Sequence, residues 1–130
     1  MYALDTSTVV DYLRGRGRVG ERLLATPSRE IALPTIVLYE LELGAEKAGA
    51  PAERRAELAE LFETVTLLAF DEAEAKAAAR IRADLEASGL PIGPYDVLIA
   101  ATALARGAIL VTHNREEFSR VAGLRLEDWY

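Results

Sequence analysis

Met1-Tyr-Ala-Leu-Asp-Thr-Ser-Thr8 reads as a short buried strand that ends on an acid, with three hydroxyl residues behind it. A carboxylate at the carboxyl end of the first strand of an α/β sheet stands where such folds place their ligands, in the crevice beyond the strand ends. Taken alone, Asp5 is more simply a turn or helix-cap residue. A second and third acid at equivalent places would reverse that reading. Thr6, Ser7 and Thr8 carry side-chain oxygens suited to capping the helix that Val9, Val10 and Leu13 continue at helical spacing.

Working outward, strands and helices alternate. Arg14-Gly-Arg-Gly-Arg18 is a basic loop, either a solvated turn or a phosphate contact at the rim of a site. Residues 19–25 make a short helix, and Glu30-Ile-Ala-Leu33 a second strand stopped by Pro34. Thr35 can cap the next helix, which Gly49 and Pro51 end. Of its acids, Glu42 points about 200° from Glu40 around the helix, so the two do not share a site. Glu40 lies nearer the preceding strand's end, with Gly44 on its face to admit another element; Glu42 and Glu46 read as solvent residues. An amphipathic helix over 51–63, a strand over 65–70 and a long alanine-rich helix opened by an Asp71/Glu74 capping box follow.

Gly89-Leu-Pro-Ile-Gly-Pro-Tyr-Asp96 is a Gly/Pro-rich loop delivering an acid into the first turn of a nearly continuously apolar helix, with Pro94 suited to its first position. An Asp there is favoured by the helix dipole without any function, but that leaves the loop unexplained. Ala108-Ile-Leu-Val-Thr112 is the clearest strand, and Leu124-Arg-Leu126 a last edge strand. Strands alternating with helices, without hairpin signals, predict an α/β domain with a mostly parallel sheet of four to five strands, covered on both faces. Neither a linker nor a repeat divides residues 1–130.

The composition is 51% hydrophobic and 28% charged, that of a globular protein, and the absence of cysteine excludes disulfides, zinc-thiolate sites and thiol nucleophiles. No membrane span or secretory signal is visible, so a cytoplasmic protein is expected. With 21 acids against 15 Lys and Arg, the net charge of −6 argues against nucleic-acid binding by general electrostatics. It leaves room for a phosphate substrate held through metal ions, which requires an acidic pocket.

In a parallel sheet all carboxyl ends share one edge. Asp5, Glu40 and Asp96 therefore converge there, and Thr112, Asn114 and Glu117 follow the fourth strand to the same place. Carboxylates gathered so do not all stay ionised without cations. Oxygen ligands without a His/Cys set suit Mg²⁺, or Mn²⁺ as a substitute, rather than zinc. Such sites hydrolyse phosphodiesters, with Asp5 and Asp96 as direct ligands and Glu40 as a ligand or water-positioning base. Thr6, Ser7 and Thr112 are candidates for positioning substrate or water. His113, the only histidine, reads first as a rim residue and second as a substrate contact; acid–base catalysis by paired histidines is impossible.

Tyr2-Ala-Leu-Asp-Thr-Ser7, Tyr39-Glu-Leu-Glu-Leu-Gly-Ala45, Pro91-Ile-Gly-Pro-Tyr-Asp-Val-Leu-Ile-Ala100 and Leu110-Val-Thr-His-Asn-Arg-Glu-Glu-Phe118 together resemble the PIN-domain family. More narrowly, they resemble the VapC-type toxins of bacterial toxin–antitoxin pairs, over nearly the whole chain. The resemblance implies a single PIN-like three-layer α/β/α domain and a magnesium-dependent endoribonuclease acting on RNA. It also implies a homodimer, held inactive by an antitoxin with a basic C-terminal segment. Asp5, Glu40 and Asp96 match the family's three main acids. At the fourth position, where many members have Asp, this chain has Asn114, with Glu117 nearby; that departure puts a second metal in doubt. A non-enzymatic PIN-like module binding RNA or protein is the competing reading. Receiver domains and haloacid-type phosphatases need acids that Asp5-Thr-Ser7 does not supply.

Overall fold

Short apolar runs form the strands of the computed structural model, which describes residues 1–130. They are β1 (Tyr2–Leu4), β2 (Ile31–Pro34), β3 (Thr66–Leu68), β4 (Ile109–Val111) and β5 (Leu126–Glu127). All pair in parallel, in the order β3-β2-β1-β4-β5. Every residue of β2 is buried, and only the first residues of β1 and β4 are partly exposed. That is the pattern of parallel strands covered on both faces, whereas the edge strand β3 exposes two of its three residues.

The helices are α1 (Thr6–Leu13), α2 (Val19–Ala25), α3 (Thr35–Ala48), α4 (Ala52–Thr64), α5 (Glu72–Ala87), α6 (Pro94–Ala105) and α7 (Arg115–Phe118). From β1 the chain steps outward through β2 to β3, and α5 and α6 then carry it back to β4 on the other side of β1. The topology thus reverses between β1 and β4, and the crevice beyond their carboxyl ends is where such sheets bind ligands. Helix α6 buries Val97, Ile99 and four further residues in succession, as its uniform apolarity predicts. No helix is long and apolar enough to cross a membrane.

Several boundaries follow their local chemistry. Gly49 ends α3 in the left-handed conformation at φ 57°, which glycine adopts without a Cβ penalty. Pro94 takes the first turn of α6, and the Asp71 N–H donates to Glu74 Oε1 at 2.8 Å, as the capping box requires. Other expectations need correction. Pro34 is the last residue of β2 rather than the residue that stops it, and Thr35 is the first helical residue of α3, with no side-chain cap. Proline is tolerated at a strand end because little is lost with its missing N–H. Gly44 admits no close neighbour: a Cβ there would meet nothing within 4 Å. It borders an open groove instead. The last strand begins at Leu126, two residues later than the apolar pattern suggested, because Val111 pairs with Glu127.

The segment after β5 is tightly built in. Trp129 is 1% exposed, its ring centroid lies 5.2 Å from that of Tyr2, and the Arg22 guanidinium sits 5.0 Å from its centroid. The indole N–H donates to Glu127 Oε1 at 3.0 Å, and Arg22 donates to the same oxygen at 2.7 Å.

Candidate active site

Asp5 follows β1 directly and is itself the N-cap of α1. Its Oδ1 accepts the Thr8 N–H at 2.8 Å, while the Ser7 hydroxyl donates at 3.2 Å and 3.1 Å to its two oxygens. The expectation that Thr6, Ser7 or Thr8 caps the helix is therefore overturned. The acid supplies the capping oxygen, and the hydroxyls serve elsewhere: Thr6 Oγ1 donates to Glu40 Oε1 at 2.7 Å, and Thr8 Oγ1 to the Val111 carbonyl at 3.0 Å. The Asp5 backbone N–H donates to the same carbonyl at 3.1 Å. Capping and site membership are thus combined in one residue.

Asp5, Glu40 and Asp96 line a single cavity of about 430 Å³ at the switch point, joined by Ser7 and Asn114. Helix α3 brings Glu40 and the N-terminus of α6 brings Asp96. The neighbouring Tyr39 and Tyr95 rings lie 5.6 Å apart between these helices, with their hydroxyls at 3.4 Å. Thr112 stands behind the cavity rather than on its wall: it is fully buried, and its Oγ1 accepts the Asn114 N–H at 3.0 Å. Glu117 is not on the wall either, but its charge acts on Asp96. Glu42 and Glu46 are exposed, as expected of solvent residues.

One charged wall residue escaped the reading of the sequence. Asp11 is 9% exposed and lines the cavity from α1, one helical turn beyond Ser7; its spacing from Ser7 was the available signal. Arg16, from the basic loop, lines the same cavity, which favours the rim-contact reading of that loop over a solvated turn.

The electrostatics reflect the crowding. Burial pushes the Asp5 carboxyl above its usual range, and hydrogen bonds from Thr112, Thr8 and Ser7 only partly oppose this. Asp96 is raised to about 6, first by burial and then by the charges of Glu40, Asp5 and Glu117. These three neighbours repel the ionised form of the fourth, and a bound cation would relieve that repulsion. No three of the side chains converge tightly enough to make a ready-made metal cage. Mg²⁺ does not require one, since it keeps several waters and takes one or two carboxylates with substrate phosphate. The oxygen-only donor set fits such an ion.

The raised Asp96 has a consequence for stability. Between its ordinary value of 3.8 and about 6, the folded state holds a proton that the unfolded chain has lost, so stability falls as pH rises through that window. Asp96 is half-buried, and solvent screening leaves roughly 1 kcal/mol of this effect. In metal-free thermal melts, Asp96→Asn should equal wild type near pH 4 and exceed it by a few degrees near pH 7. Equal melting at both values would contradict the crowding.

Gly93 precedes α6 with ordinary backbone angles (φ −56°), so its small size serves another purpose. A Cβ there would lie 3.3 Å from Asp96 Oδ2, tighter than ordinary contact. Gly93→Ala should leave the fold intact and lower activity by about tenfold through displacement of that carboxylate, measured as initial rates beside an unchanged melting curve.

The family model for the PIN domain matches residues 2–124. The tRNA(fMet)-specific endonuclease VapC of Salmonella typhimurium is 37% identical over 129 residues, covering 98% of this chain and 97% of that protein. Among solved structures, DNA-bound VapBC from Salmonella typhimurium superposes with a TM-score of 0.91 at 37% identity, covering 99% of this chain and 98% of the other. VapBC2 from Rickettsia felis, bound to a fragment of promoter DNA, gives 0.92 at 31% identity, with the same coverage.

Proposed function

The chain belongs to the PIN-domain family, as a VapC-type ribonuclease of a toxin–antitoxin pair, and we propose that it hydrolyses RNA phosphodiester bonds with a divalent cation, Mg²⁺ or Mn²⁺, held by Asp5, Asp96 and Glu40. The observation that carries this reading is the convergence of those three acids on one cavity at the switch point of the sheet. When bound, the cation supplies Lewis-acid stabilisation of the charge that develops on phosphate.

The protein's own residues do the rest. Asp5 is fixed by its bonds from Thr8 and Ser7 and keeps lone pairs free toward the cavity. Thr6 occupies Glu40 Oε1, which leaves Oε2 for the cation or, in its place, for positioning the attacking water. Asn114 offers a neutral donor to a phosphate oxygen, and Arg16 a charged one at the rim. Glu117 stays outside the cavity and adds negative potential. Between them, Asn114 and Glu117 take the place of a fourth acid, without completing a second carboxylate ligand pair.

The partner follows from the same charge. An acidic cavity is complementary to a basic segment of an antitoxin, whose arginine would occupy the site in place of a cation. Beside it runs a groove of about 360 Å³ that shares Thr6, Val10 and Glu40 with the cavity and is walled by Leu41, Ala45 and Leu58. A segment carrying apolar side chains next to that arginine would fit both. The experiment is cleavage of structured RNA with Mg²⁺ by wild type and Asp96→Asn. Cleavage only by wild type is expected. Equal cleavage by both would sink the site, and no cleavage by folded wild type would favour a binding module.

A further inference from the structure

A further cavity adjoins the acidic one, and its outer walls are not used by the chemistry proposed above. It measures about 530 Å³ and shares Ser7, Asp11, Arg16 and Asn114 with the first; its remaining walls are His113 and Tyr130. Those two rings are stacked, with centroids 4.2 Å apart and planes 19° from parallel. Both remain about half exposed, so the stack stands in solvent beside the site instead of filling a core.

The stack is held from several directions. His113 Nδ1 pairs with Asp128 Oδ2 at 3.0 Å, and Asp128 Oδ1 accepts the Tyr130 N–H at 3.0 Å. The Arg18 N–H donates to the Trp129 carbonyl at 3.1 Å, and Trp129 is buried. Gly17, at φ +59°, lets the basic loop lie against the Tyr130 backbone, where a Cβ would come within 2.6 Å. Anchoring of the tail needs only Trp129 and Asp128. It does not account for a preorganised, exposed aromatic pair opening on the same rim as Arg16.

We propose that the His113–Tyr130 stack is a platform for the nucleobase of the RNA nucleotide adjoining the cut phosphate, with Arg16 holding phosphate between the two cavities. The proposal rests on the ribonuclease reading. A nucleobase offers a flat π-face whatever its identity, and aromatic side chains beside a phosphate channel bind it by stacking. A base within a duplex already has stacking partners on both sides. The substrate class is therefore RNA whose nucleotide next to the cut is unpaired.

The test uses full-length protein, Mg²⁺ and a short RNA that wild type cuts, made also with an abasic nucleotide beside the cleavage position. Tyr130→Ala should raise KM about tenfold with kcat nearly unchanged, and Tyr130→Phe should behave as wild type. The abasic RNA should show the same rise with wild type and no further rise with Tyr130→Ala. His113→Ala gives a second route to the same comparison if the first variant melts early. Unchanged KM in both alanine variants, or abasic and alanine effects that multiply, would overturn the platform while leaving the nuclease intact. Failure of wild type to cut any RNA would overturn both.

Discussion

Asp5→Asn is expected to lower RNA cleavage by about a thousandfold or more while leaving the protein at least as stable as wild type. The two effects separate because Asp5 serves the fold and the site through different properties. For the fold it is an N-cap, and an asparagine side-chain oxygen accepts the Thr8 N–H as well as a carboxylate does. For the site its proposed role is that of a negative charge, whose ionised form burial disfavours. Removing the charge would remove an energetic cost from the folded state and the proposed ligand from the cation. Asp5→Ala is less informative, because it also loses the cap, worth about 1 kcal/mol. Initial cleavage rates and thermal melts of the Asn variant measure both properties on one sample. A less stable but active variant would invert the account.

Trp129→Ala should be the most damaging single change to stability, about 3–5 kcal/mol. The indole is 1% exposed, packs on Tyr2 of β1 and lies under the Arg22 guanidinium. Its loss leaves a cavity against the first strand and takes one of two donors from Glu127 Oε1. Because Trp129 also anchors the chain segment carrying Tyr130, the variant should lose ordered structure there first. A drop in melting temperature on the order of 10 °C is the expected result, and a shift of only a degree or two would show that the tail packs independently of the core.

The sequence made the elements legible wherever local chemistry decides them. Residues 19–25, the stop at Gly49, the Asp71/Glu74 box and the start at Pro94 each depend on residues a few positions apart. Strand order was not legible in the same way, because parallel register is fixed by contacts between distant segments. The parallel alternation nevertheless sufficed to send Asp5, Glu40 and Asp96 to one edge, where the structure brings them together.

What stayed hidden was chiefly competition among equally competent groups. Asp5, Thr6, Ser7 and Thr8 all carry oxygens that can cap a helix, and only the tertiary structure ties Thr6 to Glu40 and Thr8 to Val111. Asp11 sits on a short helix without any local mark of a site, and only the tertiary structure makes its face the cavity wall. Gly44 suggested close packing and borders open space instead. The roles of Glu127, Asp128 and Tyr130 arise from pairings with Arg22, His113 and the basic loop, which lie far away in the chain and leave no local mark.

In the proposed mechanism a cation held by Asp5, Glu40 and Asp96 would let water itself attack the phosphorus. The end groups of RNA fragments released in Mg²⁺ and in EDTA test it most directly. Attack by water leaves no 2′,3′-cyclic phosphate, tolerates a 2′-deoxy nucleotide at the cut, and stops when EDTA removes the cation. Cleavage that persists in EDTA, or fragments ending in 2′,3′-cyclic phosphate, would contradict it.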